Sequence, residues 1–154
     1  MYEVEVKARL NNREEVLKKL ESMGCVWGEE LHQIDDIFSK DSEISSYAKD
    51  RPVLRIRDEN GKFVFTLKMD QSSKQDCIEH ELEIGNKFEM EKILNILGFQ
   101  TEVTVDKVRI KTKYNDIEVV LDTVKDLGEF IEAEKMTNEA DPEARKKIQE
   151  ELYE

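Results

Sequence analysis

Ionic and apolar residues alternate strictly along the first strand-length segment, where Glu3, Glu5, Lys7 and Arg9 interleave with Val4, Val6, Ala8 and Leu10. A side-chain period of two is that of a β-strand, so one face here is apolar and the other fully charged. Taken alone, that charged face is as readily a wet surface as a site. The pattern recurs, however, with cations in mid-chain. Arg55 and Arg57 share a face opposite Leu54 and Ile56, and Lys68 lies with Thr66 and Val64 opposite Phe63, Phe65 and Leu67. Lys107, Arg109 and Lys111 oppose Val108 and Ile110 in the same way. Acids come from Glu81 and Glu83, from Asp122 after Val119-Val120-Leu121, and from Glu132 and Glu134. A set of such strands implies a lined interior.

The segments between these strands carry helix and turn signals. Asn12 is placed to cap a helix with Glu15 three residues on, Val16, Leu17, Leu20 and Met23 form its stripe, and Gly24 ends it. Asn86 to Gly98 repeats this grammar at the same spacing, and each helix follows a Glu-x-Glu strand. The repetition reads either as a strand-helix-strand unit used twice or as a coincidence between two well-made helices. Asn60-Gly61 separates Val53–Arg57 from Phe63–Lys68 as a hairpin, and Tyr114-Asn115-Asp116 separates Glu102–Thr112 from Ile117–Thr123. Ser39–Asp50 reads as a loop or short helical turn, and Asp70–Gln75 as a polar, flexible turn. Trp27–Phe38, Ile78–Ile84 and Phe130–Lys135 complete the strand count. Asp141-Pro142 opens a last helix with Ala144, Ile148 and Leu152 facing inward.

About eight short-turned, mostly antiparallel strands and three helices predict an α+β fold, a closed antiparallel eight-stranded β-barrel with helices packed outside, over one domain of residues 1–154. The outer face then packs on the helices and the ionic face lines the interior.

Charge narrows the choice of partner. A net charge of -12, with 39% charged residues against ~25% in typical soluble domains, repels nucleic acid and anionic lipid at long range. Nucleic-acid and membrane partners are therefore not expected. Cys25 and Cys77 have no ligand-spaced neighbours, which points to reduced thiols and a cytoplasmic setting, and the N-terminus lacks a signal-peptide layout. An interior with this many buried ions costs several kcal/mol for each ion left unpaired, unless carboxylates, water and a polyanion share it. Arginine and lysine suit phosphate oxygens, whereas carboxylates suit Mg²⁺ or Mn²⁺ shared with substrate phosphates. A triphosphate fits best.

Glu3-Val-Glu5-Val-Lys7 resembles the Glu-x-Glu-x-Lys signature of the CYTH superfamily, the triphosphate tunnel metalloenzymes, which includes class IV adenylyl cyclases and thiamine or inorganic triphosphatases. Leu54-Arg55-Ile56-Arg57, Thr66-Leu67-Lys68, Glu81-x-Glu83, Asp106-Lys107-Val-Arg109 and Leu121-Asp122 followed by Leu127 to Glu134 resemble its remaining blocks in order, across nearly the whole chain. The resemblance implies triphosphate held by Lys7, Arg55, Arg57, Lys68, Lys107 and Arg109. It implies metal held by Glu3 and Glu5, with Asp122, Glu132 and Glu134 completing the acid side, and Glu81 and Glu83 in support. Glu5, Lys7 and Glu134 are the residues it places in the chemistry. Two departures stand out. Cys77-Ile78-Glu79-His80 stands where many relatives have an arginine, which implies one phosphate contact fewer, and the end of the chain lacks a Ser-Tyr-x-x-Leu-Leu segment.

The closing block from Gly128 to Thr137 is most similar to the cyclase branch, which implies conversion of ATP to cyclic AMP and pyrophosphate. Hydrolysis of inorganic, thiamine or nucleoside triphosphate is the alternative, and a non-catalytic nucleotide or polyphosphate sensor is the second. Assembly stays open, with a homodimer among the options. Plain readings suffice elsewhere. His32, near Asp35 and Asp36, reads as a surface or hairpin residue, His80 as structural, and Trp27 and Phe38 as core rather than base-stacking residues.

Overall fold

The computed structural model describes residues 2–40, 52–73 and 76–153. In chain order these form β1 (Tyr2–Arg9), α1 (Arg13–Ser22), β2 (Leu31–Ser39), β3 (Pro52–Glu59), β4 (Lys62–Ser73) and β5 (Asp76–Ile84). The order continues with α2 (Lys87–Ile96), β6 (Gln100–Tyr114), β7 (Ile117–Val124), β8 (Gly128–Thr137) and α3 (Pro142–Tyr153). The strands close into a barrel in the order β1-β5-β4-β3-β2-β6-β7-β8, every pairing antiparallel. Closure pairs every strand with a neighbour on both sides, most briefly between β1 and β5.

Local chemistry sets the corners. Asn60 and Gly61 both take positive φ, 51° and 83°, as the two-residue turn between β3 and β4 requires. Asn12 and Asn86 each accept a hydrogen bond from the amide three residues on, at 3.2 and 3.1 Å, and Gly24 and Gly98 end the two helices at φ near 90°. The strand order maps onto itself when β1–β4 exchange with β5–β8, so the repeated Asn-to-Gly helices occupy equivalent places. The barrel topology thus favours the duplicated unit over coincidence.

The outer wall holds the apolar core. Phe38, Leu54 and Ile56 from β2 and β3 pack with Leu94 of α2, joined by Phe65, Leu67, Ile84, Met90 and Phe99. Lys87 at the start of α2 pairs with Asp36 on the outer face of β2, which fixes the helix on the wall. α3 lies against β1 and β8. None of its expected apolar residues is the buried anchor. That is Arg145, whose Nε and Nη2 donate to the two oxygens of Asp76 at 2.5 and 2.9 Å while its guanidinium stacks on Tyr2.

Two expected turns differ. β4 continues through Ser73, which pairs with Asp76 beyond an irregularity after Asp70, because polar residues at a sheet end still satisfy their amides by pairing. Ser39 belongs to β2, opposite Gln100, while 41–50 and 74–75 lie outside the described residues. No helix among the described residues is long and apolar enough to cross a membrane.

Candidate functional site

Cross-strand partners in an antiparallel pair point to the same side, so register fixes which side chains share the lumen. Arg55 and Arg57 face Thr66 and Val64, these face Glu81 and Glu83, and Lys68 faces Glu79. Glu5 and Lys7 face Glu134 and Glu132, and Arg109 faces Asp122. Gln33 and Asp35 on β2 face Lys107 and Val105 on one side and Glu59 and Arg57 on the other. Every anticipated site residue therefore lies on the inner face.

The barrel does not keep cations and acids on separate walls. Arg109 donates to Asp122 through Nε and Nη2 at 2.7 and 2.6 Å and to Glu132 at 2.8 Å, and Lys7 also bonds Glu132. Arg57 makes a two-point bond with Asp35 at 2.7 and 2.8 Å, and Lys107 lies 3.3 Å from Asp35 and 3.8 Å from Asp122. Burial and the neighbouring Arg109 and Arg57 push the Lys107 ammonium down to about 8, against the pull of Asp35 and Asp122. Arg57, Lys107 and Arg109 thus converge, held by acids but crowded by like charge. Burial opposes the Glu132 carboxylate, yet Arg109 and Lys7 hold it down at about 2.

A second group is acidic. Glu3, Glu5 and Glu134 each bring a carboxylate oxygen within 4.8 Å of the others. Burial, with the charges of Glu3 and Glu118, raises Glu134 to about 7, and burial, with Glu3 and Glu132, raises Glu5. Glu79 shares a hydrogen bond with Glu3, and burial together with that bond and the Glu3 charge raises it to about 8. Lys68 sits in this group, 2.5 Å from Glu3 and 3.7 Å from Glu79. Glu3 is shifted the other way, below the ordinary carboxylate range: burial opposes its charge, but the Glu79 hydrogen bond and Lys68 outweigh it. Three converging carboxylates are a donor set suited to a hard divalent cation with oxygen ligands, and Glu3, Glu5 and Glu134 are the residues that could hold one. Asp122 and Glu132 bond Arg109 and are not among the acids that converge within 4.8 Å, although the charge of Glu132 acts on Glu5.

Arg55 is shared between Thr66, Glu79 and Glu81 through Nη2, at 3.1, 3.3 and 3.2 Å, while its buried Nε has no partner among the described residues. Glu81 is half-exposed and lies 3.2 Å from Arg55, and Glu83 is exposed. Cys77, from the segment that departs from the family's arginine, faces the lumen, its thiol pushed up to about 12 first by burial. β1 and β5 share only the register from Tyr2 to Val4, so the wall parts beyond that point, beside Glu5, Lys7 and Glu81.

Asp35, Glu79 and Gln33 are lumen residues that the strand patterns did not single out. Alternation with Glu81 could have flagged Glu79. Asp35 sits beside Asp36, and only register tells that the first faces in and the second out. His32 bonds Asp106 at 2.7 Å on the outer surface and His80 is exposed, so neither reaches the lumen. Phe38 is core and Trp27 half-buried.

The sequence profile of the CYTH domain matches residues 1–154. A Methanocaldococcus jannaschii protein named "Putative adenylate cyclase" is 32% identical over 156 residues, covering 100% of this chain and 87% of its own. A solved Pyrococcus horikoshii structure superposes at a TM-score of 0.79 with 29% identity, covering 97% of this chain and 87% of that one. A Vibrio parahaemolyticus structure, at a TM-score of 0.76 and 20% identity over 99% of this chain and 84% of that one, shares the fold.

Proposed function

The chain belongs to the CYTH domain family, and on that premise we propose that it is a metal-dependent enzyme acting on a triphosphate held in the barrel lumen. The observation that carries this is the joining of two groups across Glu132 and Glu134, the converging Arg57, Lys107 and Arg109 on one side and the Glu3-Glu5-Glu134 acids on the other. The Nε of Arg55, without a partner among the described residues, adds a buried donor that a phosphate oxygen satisfies.

Conversion of ATP to cyclic AMP and pyrophosphate is the reading we place first, in keeping with the name of the Methanocaldococcus jannaschii relative. Arg57, Lys107 and Arg109, with Arg55 and Lys68, neutralise the phosphates, while Asp35, Asp122 and Glu132 hold three of these cations in fixed geometry. The ribose 3′-oxygen attacks the α-phosphorus, the bond to the α,β-bridging oxygen breaks, and the hydroxyl proton passes to the acid group of Glu5 and Glu134. Lys7 meets the charge that develops on the departing pyrophosphate. A divalent cation at Glu3, Glu5 and Glu134 would supply charge neutralisation at the phosphate oxygens.

Incubation of the purified protein with ATP, inorganic triphosphate and thiamine triphosphate in Mg²⁺ or Mn²⁺, with separation of products, tests the proposal. Cyclic AMP with pyrophosphate supports cyclisation and orthophosphate supports hydrolysis. Tight binding with no turnover would replace both with a sensor, and neither binding nor turnover would overturn the triphosphate reading.

A further inference from the structure

Gln33 is 0% exposed and stands on the lumen face of β2 between Lys107 on β6 and Glu59 on β3. Its Nε2 donates to Glu59 Oε2 at 2.5 Å. An ionised carboxylate only accepts, so the amide cannot turn over without setting two acceptors against each other. Its oxygen is thereby fixed on the other side, buried and with no partner among the described residues. The ammonium of Lys107 does not serve it, being turned to Asp35 and Asp122. The next inward-facing residue of β2 is Asp35, which holds Arg57 and Lys107.

A ligand whose phosphates rest on Arg57 and Lys107 therefore meets, one step along the wall, an acceptor oxygen that wants a hydrogen. Ionised phosphate has none to give. A hydroxyl or amine on an organic group does. Resting on the triphosphate reading above, we propose that Gln33 is a specificity-determining residue whose Oε1 accepts a hydrogen bond from an N–H or O–H of the substrate's organic part, so that the tunnel selects organic over inorganic triphosphates. Glu59 is the positioning residue that holds the amide the right way round. A site built to receive a donor discriminates against ligands that lack it, because its own buried acceptor is then left unpaired.

The test is calorimetric binding of ATP, thiamine triphosphate and inorganic triphosphate in EDTA, where metal-assisted turnover does not run. Wild type is compared with Gln33→Met and with Glu59→Gln, and melting curves check that each is folded. The expected result is about tenfold weaker binding of ATP or thiamine triphosphate to Gln33→Met, with inorganic triphosphate changed less than about twofold. Glu59→Gln, whose own amide lets Gln33 turn over, loses part of that discrimination. Equal loss for all three ligands, or no change for any, overturns the assignment and leaves the oxygen to a buried water. Wild type that binds none of them, in EDTA or with Mg²⁺ restored, overturns the triphosphate reading itself, and this inference with it.

Discussion

Arg109 of β6 is clamped by Asp122 of β7, Nε to Oδ1 at 2.7 Å and Nη2 to Oδ2 at 2.6 Å, with both side chains almost completely buried. The pair is directly opposed in register, so Asp122 decides where the guanidinium points into the lumen. Asp122→Ala leaves that cation with Glu132 alone, and breaking a buried pair costs about 3–5 kcal/mol. Asp122→Asn keeps the shape and is expected to fold, yet with Arg109 released it lowers kcat/KM on the substrate by about 10²-fold. Urea unfolding of both variants and steady-state kinetics of Asp122→Asn check this, and an Asp122→Asn enzyme as fast as wild type would show that the clamp does not serve the chemistry.

Glu5→Gln removes one of three carboxylates from the acid triad while keeping its volume. Apparent Mg²⁺ or Mn²⁺ affinity, read by titrating activity and by calorimetry, is expected to fall at least about tenfold. Asp106→Asn, which alters only the outer-surface bond to His32, serves as the control. Unchanged metal affinity in Glu5→Gln would remove the triad from the metal site.

The acid group also sets a pH dependence. Glu79 and Glu134 titrate at about 8 and about 7 in the folded protein, above the ordinary 4.5, chiefly because they are buried. Their contribution to stability is fully present below about 4.5 and is lost as pH rises through 7 to 8, since the unfolded chain gives up these protons first. Glu132, held at about 2, behaves oppositely and contributes above 4.5, with loss as pH falls through 2. Metal-free protein is therefore expected to melt at lower temperature at pH 8 than at pH 5, and saturating Mg²⁺ to reduce the difference. Cation binding should release protons, measurable by calorimetry in buffers of different ionisation enthalpy. A melting temperature that rises from pH 5 to 8 without metal would contradict the buried acid group.

Arg145→Met is expected to break the buried two-point bond to Asp76 and to cost about 3–5 kcal/mol, a fall in Tm on the order of 10 °C. The double variant with Asp76→Leu should recover much of that loss. If the single variant melts like wild type, α3 is not held by this pair.

Much of this arrangement is legible along the chain. Alternation in Glu3-Val-Glu5-Val-Lys7, Leu54-Arg55-Ile56-Arg57 and Val108-Arg109-Ile110 separates an ionic face from an apolar one, because a strand puts successive side chains on opposite sides. Asn60-Gly61 fixes a two-residue hairpin, and the Asn-to-Gly spacing fixes two helices, because these residues supply backbone conformations and caps that few others can.

Which acid meets which cation is not written locally. Asp122 lies on Arg109 rather than with Glu3, Asp35 rather than Asp36 takes Arg57, Glu79 joins the acid group, and Arg145 reaches back to Asp76. Gln33 is held by Glu59, its oxygen without a partner among the described residues, for the same kind of reason. Each of these depends on the register between strands distant in sequence, and a shift of one residue would turn every side chain of a strand to the other face. Alternation along the chain therefore determined that the interior would be ionic; closure of the barrel, by bringing those distant strands into register, decided which charges share it.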